Sequence, residues 1–368
     1  MTQNPAMRPG SEKGTPLSVQ TFEVSEDEDG LRLDRWFKRR IPSLSLSHLN
    51  KIVRTGQVRV DGARVKTATR LAQGQSVRVP PLNLEAQAEA PAREPLISEE
   101  DRRELRDMIL FEDKDLMVLN KPFGLAVQGG SGTKRHIDGM LASMPNERGE
   151  RPVLVHRLDR DTSGVLLIAK TRKIAADLGA IFRSRQAQKI YWALVEGVPK
   201  PAQGKISLFL AKGEGMGADR PTRRGPEDRA AMEKMRVAQH GDEDAQHSVT
   251  YYATVDTFEP RVAWLSMKPI TGRTHQLRAH AEAIGHPIIG DPKYGLKPKN
   301  DPRRNDPLRA IPDTVERKLH LLARRLKLPH PRGGVLDVTA PLPPHMLRSF
   351  ELFGFDAKQY DPIEAAPE

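Results

Sequence analysis

Cysteine is absent from the 368-residue chain. This absence excludes a disulfide framework and any metal site that depends on thiolate ligands. The chain also lacks an apolar run long enough to span a bilayer, and its first residues contain no apolar signal segment. We therefore expect a cytoplasmic protein that has no membrane segment.

Recognisable nucleotide-binding motifs are lacking as well. The glycine-rich stretch at residues 124–132 fits neither the phosphate-loop spacing nor G-x-G-x-x-G, so no nucleotide cofactor is expected. Basic residues, in contrast, are abundant: 59 Lys and Arg face 48 Asp and Glu, which gives a net charge of +11. This excess predicts a polyanionic partner, with nucleic acid favoured over an anionic membrane.

Composition divides the chain into five parts. Residues 1–20 are rich in Pro, Gly, Ser and Thr without periodicity, which predicts a disordered tail. Residues 21–80 alternate helical and strand patterns and predict a small α+β unit. Residues 81–105 carry three prolines and predict a partly extended linker. Residues 106–357 form the large domain, and residues 358–368 are expected to be a free tail.

Two polar stretches interrupt the large domain. Residues 212–247 are rich in glycine and acidic residues, and we interpret them as a mobile insertion between strands and a candidate RNA-facing arm. Residues 297–313 have the composition of a loop.

The small unit predicts a basic helix pair followed by a hairpin. Leu33, Trp36 and Phe37 recur at helical spacing, Ser47 is placed to cap a second helix, and Asp61-Gly62 forms a tight turn. Residues 31–79 contain twelve Lys or Arg against two acids. The candidate RNA-binding residues are Arg35, Lys38, Arg39, Lys51, Arg54 and Arg59. Phosphate contact is one interpretation of this charge, and a small solvated domain is the other.

The densest charge cluster of the large domain lies between two apolar runs. Residues 153–155 and 165–169 predict buried strands. Residues 156–164, here named the signature loop, separate them and include five ionisable side chains. Such a loop is either a charged surface turn with local Asp–Arg pairs or a functional site.

The signature loop, His-Arg-Leu-Asp-Arg-Asp-Thr-Ser-Gly, resembles that of the RluA-type pseudouridine synthases of ribosomal RNA. Further motifs of this family recur in family order: Asn120-Lys121-Pro122 with Gly124, Lys189-x-Tyr191, residues 270–278 and residues 285–295. Lys293 departs from the leucine that is common in the family at this place. Residues 33–36 and 56–62 resemble the alpha-L RNA-binding motif of ribosomal proteins, so the resemblance covers about residues 31–353.

The resemblance implies an α+β fold. Its catalytic domain is expected to form around a mixed, largely antiparallel sheet that the active cleft crosses, preceded by the small RNA-binding domain. The implied reaction breaks the bond from ribose carbon-1′ to base nitrogen-1 and remakes it to carbon-5. Because this isomerisation transfers neither electrons nor phosphate, no cofactor and no metal are expected.

The resemblance also assigns residues to the reaction. Asp159, rather than Asp161, is the essential carboxylate, and its role as nucleophile or as base remains open. A guanidinium would stabilise and orient the charged carboxylate; Arg278 is the candidate, with Arg273 as the alternative. Tyr191 is implied to stack against the target base.

Other residues are implied to contact the substrate. Arg157 would enter the space vacated by the flipped nucleotide, and Leu277 would shape the apolar wall. His156 is either structural or a phosphate contact. The histidines at 275, 280 and 286 are expected to be structural or RNA-contacting rather than metal ligands, because their spacing and surroundings complete no zinc site.

The expected partner is ribosomal RNA of the large subunit, bound by a monomer. The alpha-L-like unit before the catalytic domain favours this substrate, although two sister branches of the family share that arrangement. Transfer RNA is the alternative substrate. A non-catalytic RNA-binding protein of ribosome assembly is the alternative class, which the basic first unit alone would support.

Overall fold

The computed structural model of the protein describes residues 19–82, 98–129, 133, 135–213, 234–242, 244–295 and 311–366. The chain divides between residues 94 and 95 into a small and a large compact unit. Across these described ranges, no helix is both long and apolar enough to cross a membrane.

The small unit combines two helices with a four-stranded antiparallel sheet. Its elements are β1 (Gln20–Glu23), α1 (Leu33–Arg40), α2 (Leu46–Arg54), β2 (Arg59–Val60), β3 (Ala63–Arg64) and β4 (Ser76–Val79), with a 3-10 turn at Glu26–Glu28. The strand order is β1-β4-β2-β3. Asp61 and Gly62 have φ values of 49° and 77° and form the predicted hairpin turn between β2 and β3.

The predicted apolar face of α1 is confirmed. Leu33, Trp36 and Phe37 are fully buried in the core of the small unit. The predicted cap of α2 is wrong by two residues, because the hydroxyl of Ser45 accepts the His48 N–H at 3.2 Å. Ser47 lies inside the helix, which begins at Leu46.

The large unit contains most of the helices and strands. They are α3 (Glu99–Asp107), β5 (Ile109–Glu112), β6 (Leu116–Lys121), α4 (Ile137–Met140), β7 (Val153–Leu154), β8 (Ser163–Ala169), α5 (Arg172–Arg183), β9 (Gln188–Glu196), β10 (Gln203–Lys212), β11 (Met235–Ala238), β12 (Gln246–Phe258), β13 (Val262–Pro269), α6 (Gln276–Ala283), β14 (Leu321–Pro329), β15 (Val335–Thr339) and α7 (Pro344–Phe353). Short 3-10 turns follow at Leu141–Ser143 and Pro362–Ala365.

One large sheet connects all the strands of this unit. The strand order is β11-β10-β12-β13-β9-β14-β8-β6-β5, with β15 beside β14 and β7 beside β8. The described pairings are antiparallel except that of β8 with β14. The predicted mixed, largely antiparallel sheet is thus confirmed.

The parallel pairing requires glycine at the end of the signature loop. Gly164 pairs with Ala323 and has a φ of 106°, and a Cβ at this position would lie 2.2 Å from the Ala323 carbonyl oxygen. No other residue type fits this approach of two backbones.

Successive residues of strand β9 point to opposite faces of the sheet. Trp192 packs edge-on against Trp264, with ring centroids 4.6 Å apart, and both lie in a core that includes Phe350. Tyr191 and Ala193 lie on the opposite face, where Tyr191 is half-buried.

Two predicted boundaries are corrected by packing. Helix α3 begins at Glu99, and Leu105 is fully buried, so residues 98–105 pack with the large unit instead of forming the end of a linker. Residues 361–366 are not a free tail. The Asp361 carboxylate accepts hydrogen bonds from Trp192 Nε1 at 2.9 Å and Ser266 Oγ at 2.6 Å, and Ile363 is buried.

The predicted insertion at 212–247 is partly ordered sheet. Met235–Ala238 form β11 and pair with β10, so this part is a strand rather than a mobile arm. Residues 214–233 lie outside the described residues, as do most of the predicted linker, the first eighteen residues and residues 297–310.

Candidate active site

A cleft of about 670 Å³ lies on the Tyr191 face of the sheet. The signature loop, β9 and the segment 269–278 supply most of its lining. The lining includes every large-domain residue that the sequence assigned to the site: His156, Arg157, Asp159, Tyr191, Arg273, Leu277 and Arg278. Asp161 is absent from this lining.

Asp159 pairs with Arg278. The Asp159 Oδ2 atom lies 3.3 Å from Arg278 Nη1, and the two side chains are 30% and 3% exposed. Arg273 instead donates through Nε to the His247 carbonyl oxygen at 3.2 Å. The geometry therefore favours Arg278 over Arg273 as the partner of the carboxylate.

A second carboxylate, which sequence reasoning missed, holds Arg278. Asp291 accepts from Arg278 Nε at 2.7 Å and Nη2 at 2.6 Å. It also accepts the N–H groups of Lys293 and Tyr294, so its position is fixed by the backbone. In the sequence, only its position within the motif at 285–295 pointed to Asp291. Its contact with Arg278 depends on the fold.

Arg278 remains a cation inside the protein. Burial opposes its charge, but the hydrogen bonds and negative charges of Asp291 and Asp159 outweigh burial and raise the pKa of Arg278. The guanidinium also lies 5.1 Å from the centre of the Tyr294 ring. A rigid positive group thus faces Asp159.

The two oxygens of Asp159 differ in their surroundings. Oδ2 faces Arg278 and also lies 3.8 Å from His275 Nε2. Oδ1 accepts no hydrogen bond from the part of the chain that the structure describes. Oδ1 is consequently the oxygen that is available to a molecule in the cleft.

Tyr191 presents a neutral phenol on the cleft wall. Burial and the nearby charge of Asp159 both raise the pKa of this phenol above its ordinary value. The side chain therefore offers an aromatic ring and a protonated hydroxyl.

His156 is held by the protein. Its Nε2 accepts the Leu167 N–H at 2.9 Å, and its ring stacks on Phe182 with centroids 5.2 Å apart. Burial and the positive charge of Lys189 lower the pKa of His156 to about 4. A neutral, engaged ring favours the structural alternative over contact with phosphate.

Lys121 anchors the loops around Asp159, a role that sequence reasoning did not find. This fully buried side chain donates to the carbonyl oxygens of Pro122, Leu125 and Arg160 at 2.7 to 2.9 Å. Burial lowers the pKa of Lys121 to about 7, while Asp161 and Asp159 oppose this shift. The lysine ties the end of β6 to the signature loop.

The cleft is strongly basic. Its cationic lining residues are Arg157, Arg160, Arg183, Arg185, Lys189, Arg273 and Arg278, against Asp159 as the single carboxylate among the described lining residues. A concave surface of this charge attracts a polyanion.

The histidines and carboxylates of the described ranges form no group of three that could hold a metal ion. His280 Nε2 lies 2.8 Å from Ser248 Oγ, and His286 Nδ1 lies 2.9 Å from the Glu196 carbonyl oxygen. Both rings are engaged within the protein.

The candidate RNA-binding residues of the small unit fall into two groups. Arg35, Lys38, Lys51 and Arg54 are exposed on α1 and α2. Arg39 forms an ion pair with Asp27 at 2.6 Å, and Arg59 donates to the Gly62 carbonyl oxygen at 2.8 Å. The first group is therefore better placed to contact phosphate.

Comparison with known proteins gives three findings. Residues 115–283 match the family described as RNA pseudouridylate synthase. The chain is 38% identical over 278 residues to ribosomal large subunit pseudouridine synthase C of Vibrio vulnificus (strain CMCP6), covering 75% of this chain and 80% of that protein. It is 34% identical over 340 residues to the protein of that name from Salmonella typhi, covering 91% and 97%.

A solved structure is also similar. Human RNA pseudouridylate synthase domain containing 4 superimposes with a TM-score of 0.54 at 29% identity, covering 69% of this chain and 95% of that one.

Proposed function

Because the chain belongs to the RNA pseudouridylate synthase family, we propose that it isomerises specific uridines of 23S ribosomal RNA to pseudouridine, with Asp159 as the essential carboxylate. The observation that carries the role of Asp159 is its pairing with Arg278 inside a basic cleft. The substrate rests on the relatives, which are named as synthases of the large ribosomal subunit.

The reaction needs one charged carboxylate near the ribose. The bond from carbon-1′ to nitrogen-1 breaks, the base turns, carbon-1′ bonds to carbon-5, and the proton of carbon-5 is replaced by one on nitrogen-1. Attack on carbon-1′ and removal of a sugar proton both require an ionised oxygen. Arg278 contacts Oδ2, so Oδ1 is the reacting oxygen.

The other cleft residues bind the extruded nucleotide. Tyr191 offers its ring to the base, and Leu277, which is 7% exposed, forms part of the wall. Arg157 is exposed, and its Nη1 atom donates to the neutral side chain of Gln128 at 3.3 Å. The charge of Arg157 is therefore available to occupy the place of the flipped nucleotide in the RNA helix. His156 supports the signature loop, which carries Arg157 and Asp159.

The test uses transcripts of 23S ribosomal RNA and of transfer RNA, with pseudouridine mapped by carbodiimide modification. We expect the wild-type protein to modify the 23S transcript. The Asp159→Asn variant should lose at least about a thousandfold in rate, because it removes the reacting charge. Its affinity for RNA should stay within about twofold, since phosphate contacts supply the affinity.

Asp161→Asn is the matched control, because Asp161 lies two residues away and outside the cleft lining. It should retain most of the activity. Normal modification by Asp159→Asn would remove Asp159 from the mechanism. Modification of transfer RNA alone would change the substrate, and RNA binding by an inactive wild-type protein would identify a non-catalytic binder.

A further inference from the structure

His275 is a second side chain directed at Asp159. It immediately precedes α6 in the left-handed region, with a φ of 50° and a ψ of 20°, and its side chain does not cap the helix. A residue other than glycine is strained in this region, so the surrounding structure must hold it there. Its side chain is 10% exposed, and Nε2 lies 3.8 Å from Asp159 Oδ2.

Gln276 holds the segment that precedes the helix. The Gln276 side-chain oxygen accepts from Thr271 Oγ1 at 2.7 Å and from the Arg273 N–H at 3.0 Å. Its amide nitrogen donates to the Val249 carbonyl oxygen on β12 at 2.9 Å. This buried network compensates for the strain at His275.

The Tyr294 hydroxyl is placed to direct the proton of the His275 ring. The Tyr294 hydroxyl accepts the Met235 N–H at 2.7 Å and lies 3.2 Å from His275 Nδ1. Burial raises the pKa of this phenol, so the hydroxyl keeps its hydrogen. Because the oxygen already accepts from Met235, its hydrogen is free to point at Nδ1, and the ring proton then resides on Nε2.

Burial favours the neutral form of the His275 imidazole. Burial lowers the pKa of His275; the positive charges of Arg278 and Lys293 act in the same direction, while Asp159 and Asp291 oppose them. His275 is therefore a neutral N–H donor beside the cationic Arg278.

We propose, as an extension of the proposed function, that His275 is a positioning residue whose Nε2–H, directed by Tyr294, restrains Oδ2 of Asp159. With Arg278 and His275 both facing Oδ2, the carboxylate cannot rotate, and Oδ1 is held towards the ribose. The separation of 3.8 Å exceeds a hydrogen bond, so Nε2 must approach Oδ2 once RNA lies in the cleft and excludes water.

The first test is kinetic. Tyr294→Phe keeps the ring beneath Arg278 and removes the hydroxyl that directs His275. We expect kcat to fall about tenfold while KM for RNA stays within about twofold, because the reacting oxygen is misdirected but phosphate contacts are intact. Tyr252→Phe is the matched control: this hydroxyl donates to the Pro201 carbonyl oxygen outside the cleft, so its kcat should not change.

A double-mutant cycle tests whether Tyr294 acts through His275. His275→Asn is suitable, because asparagine tolerates the left-handed conformation better than most residues. If the proposal holds, adding Tyr294→Phe to His275→Asn lowers kcat no further. If the two substitutions instead lower kcat independently, so that their fold losses multiply in the double variant, the proposal is overturned.

The second test is independent of activity. Long-range proton–nitrogen spectra of protein labelled at histidine, with His275→Asn identifying the signal, report which ring nitrogen carries the proton. We expect Nε2 in the wild-type protein and a mixture in Tyr294→Phe. A proton on Nδ1 in the wild-type protein would overturn the proposal, whereas an inactive wild-type protein with the expected tautomer would contradict only the proposed function.

Discussion

At the scale of single residues, the candidate site depends on buried side chains that lie outside the cleft lining. Asp291 orients Arg278, and Lys121 holds the Arg160 carbonyl oxygen one residue from Asp159. Both are charged groups whose burial is compensated by several hydrogen bonds. Their removal should therefore affect both folding and catalysis.

Lys121→Met should lower the free energy of unfolding by about 2–3 kcal/mol, because three carbonyl oxygens lose their donor. The rate of pseudouridine formation should fall as the signature loop loses its anchor. Urea unfolding and the carbodiimide assay measure the two effects. Lys170→Met is the control: Lys170 pairs with the more exposed Glu112 at 2.7 Å, and its loss should cost less than about 1 kcal/mol. An unchanged midpoint in Lys121→Met would refute the anchoring role.

Sequence predicted which residues meet in the cleft, but not how they are held. Asp159, Tyr191 and Arg278 lie in separate motifs, and their resemblance to a family was enough to group them. The choice between Arg273 and Arg278 stayed open, because it depends on which guanidinium reaches Oδ2. The roles of His275 and Asp291 could not be predicted, because they depend on the left-handed conformation of His275 and on the return of the chain towards Arg278 after α6.

At the scale of secondary-structure elements, the join between β8 and β14 is the most constrained part of the sheet. Gly164→Ala should destabilise the protein by about 3 kcal/mol or more, because its Cβ would meet the Ala323 carbonyl oxygen. Chemical denaturation measures the loss. Gly272→Ala is the control, since its added Cβ meets open space and its φ is ordinary. Equal stability of the two variants would show that β14 moves aside readily.

Buried histidines make the packing of β14 sensitive to pH. His320 precedes β14, and its Nε2 lies 2.8 Å from Ser349 Oγ on α7. Burial and the neighbouring His345 lower the pKa of His320 to about 4, from 6.5. Between these values the unfolded chain binds more protons than the folded one. Stability should therefore be complete above pH 6.5 and fall by up to about 1.4 kcal/mol per pH unit towards pH 4.

Urea midpoints measured at pH 7.5, 6 and 5 test this dependence. His156 and His280 also have pKa values lowered to about 4, mainly by burial, and add to the same slope. His320→Gln should reduce the slope of the unfolding free energy against pH by the contribution of one histidine. A slope identical to that of the wild-type protein would mean that His320 does not titrate on unfolding.

Periodicity predicted elements well and their ends less well. Helical spacing placed Leu33, Trp36 and Phe37 on the buried face of α1, because this period is a property of the helix itself. The segments 98–105 and 361–366 looked like linker and tail, because each has few apolar residues. Leu105 and Ile363 are the buried residues of these two segments, and local composition does not reveal their burial.

At the scale of the whole molecule, the small unit should supply affinity and the large unit chemistry. Replacing Arg35, Lys38, Lys51 and Arg54 together by Gln should weaken RNA binding and reduce the slope of log affinity against log salt by up to about 3 units. The maximal rate at saturating RNA should stay within about tenfold. Binding measured from 50 to 300 mM salt decides this.

The comparison variant is Arg39→Gln. Its guanidinium is already paired with Asp27, so its loss should change the salt slope by less than one unit. An unchanged slope in the fourfold variant would make the charge of the small unit a solubility feature. The cleft would then have to supply the affinity.

The pairing of β9 with β14 has a consequence for the order of events during synthesis. Tyr191 lies opposite Ala323, more than one hundred residues later in the chain. A ribosome producing this protein therefore exposes the signature loop and Tyr191 long before the strand that completes the sheet beside them. We expect a nascent chain that ends before β14 to lack a formed cleft, so catalytic competence is acquired near the completion of translation.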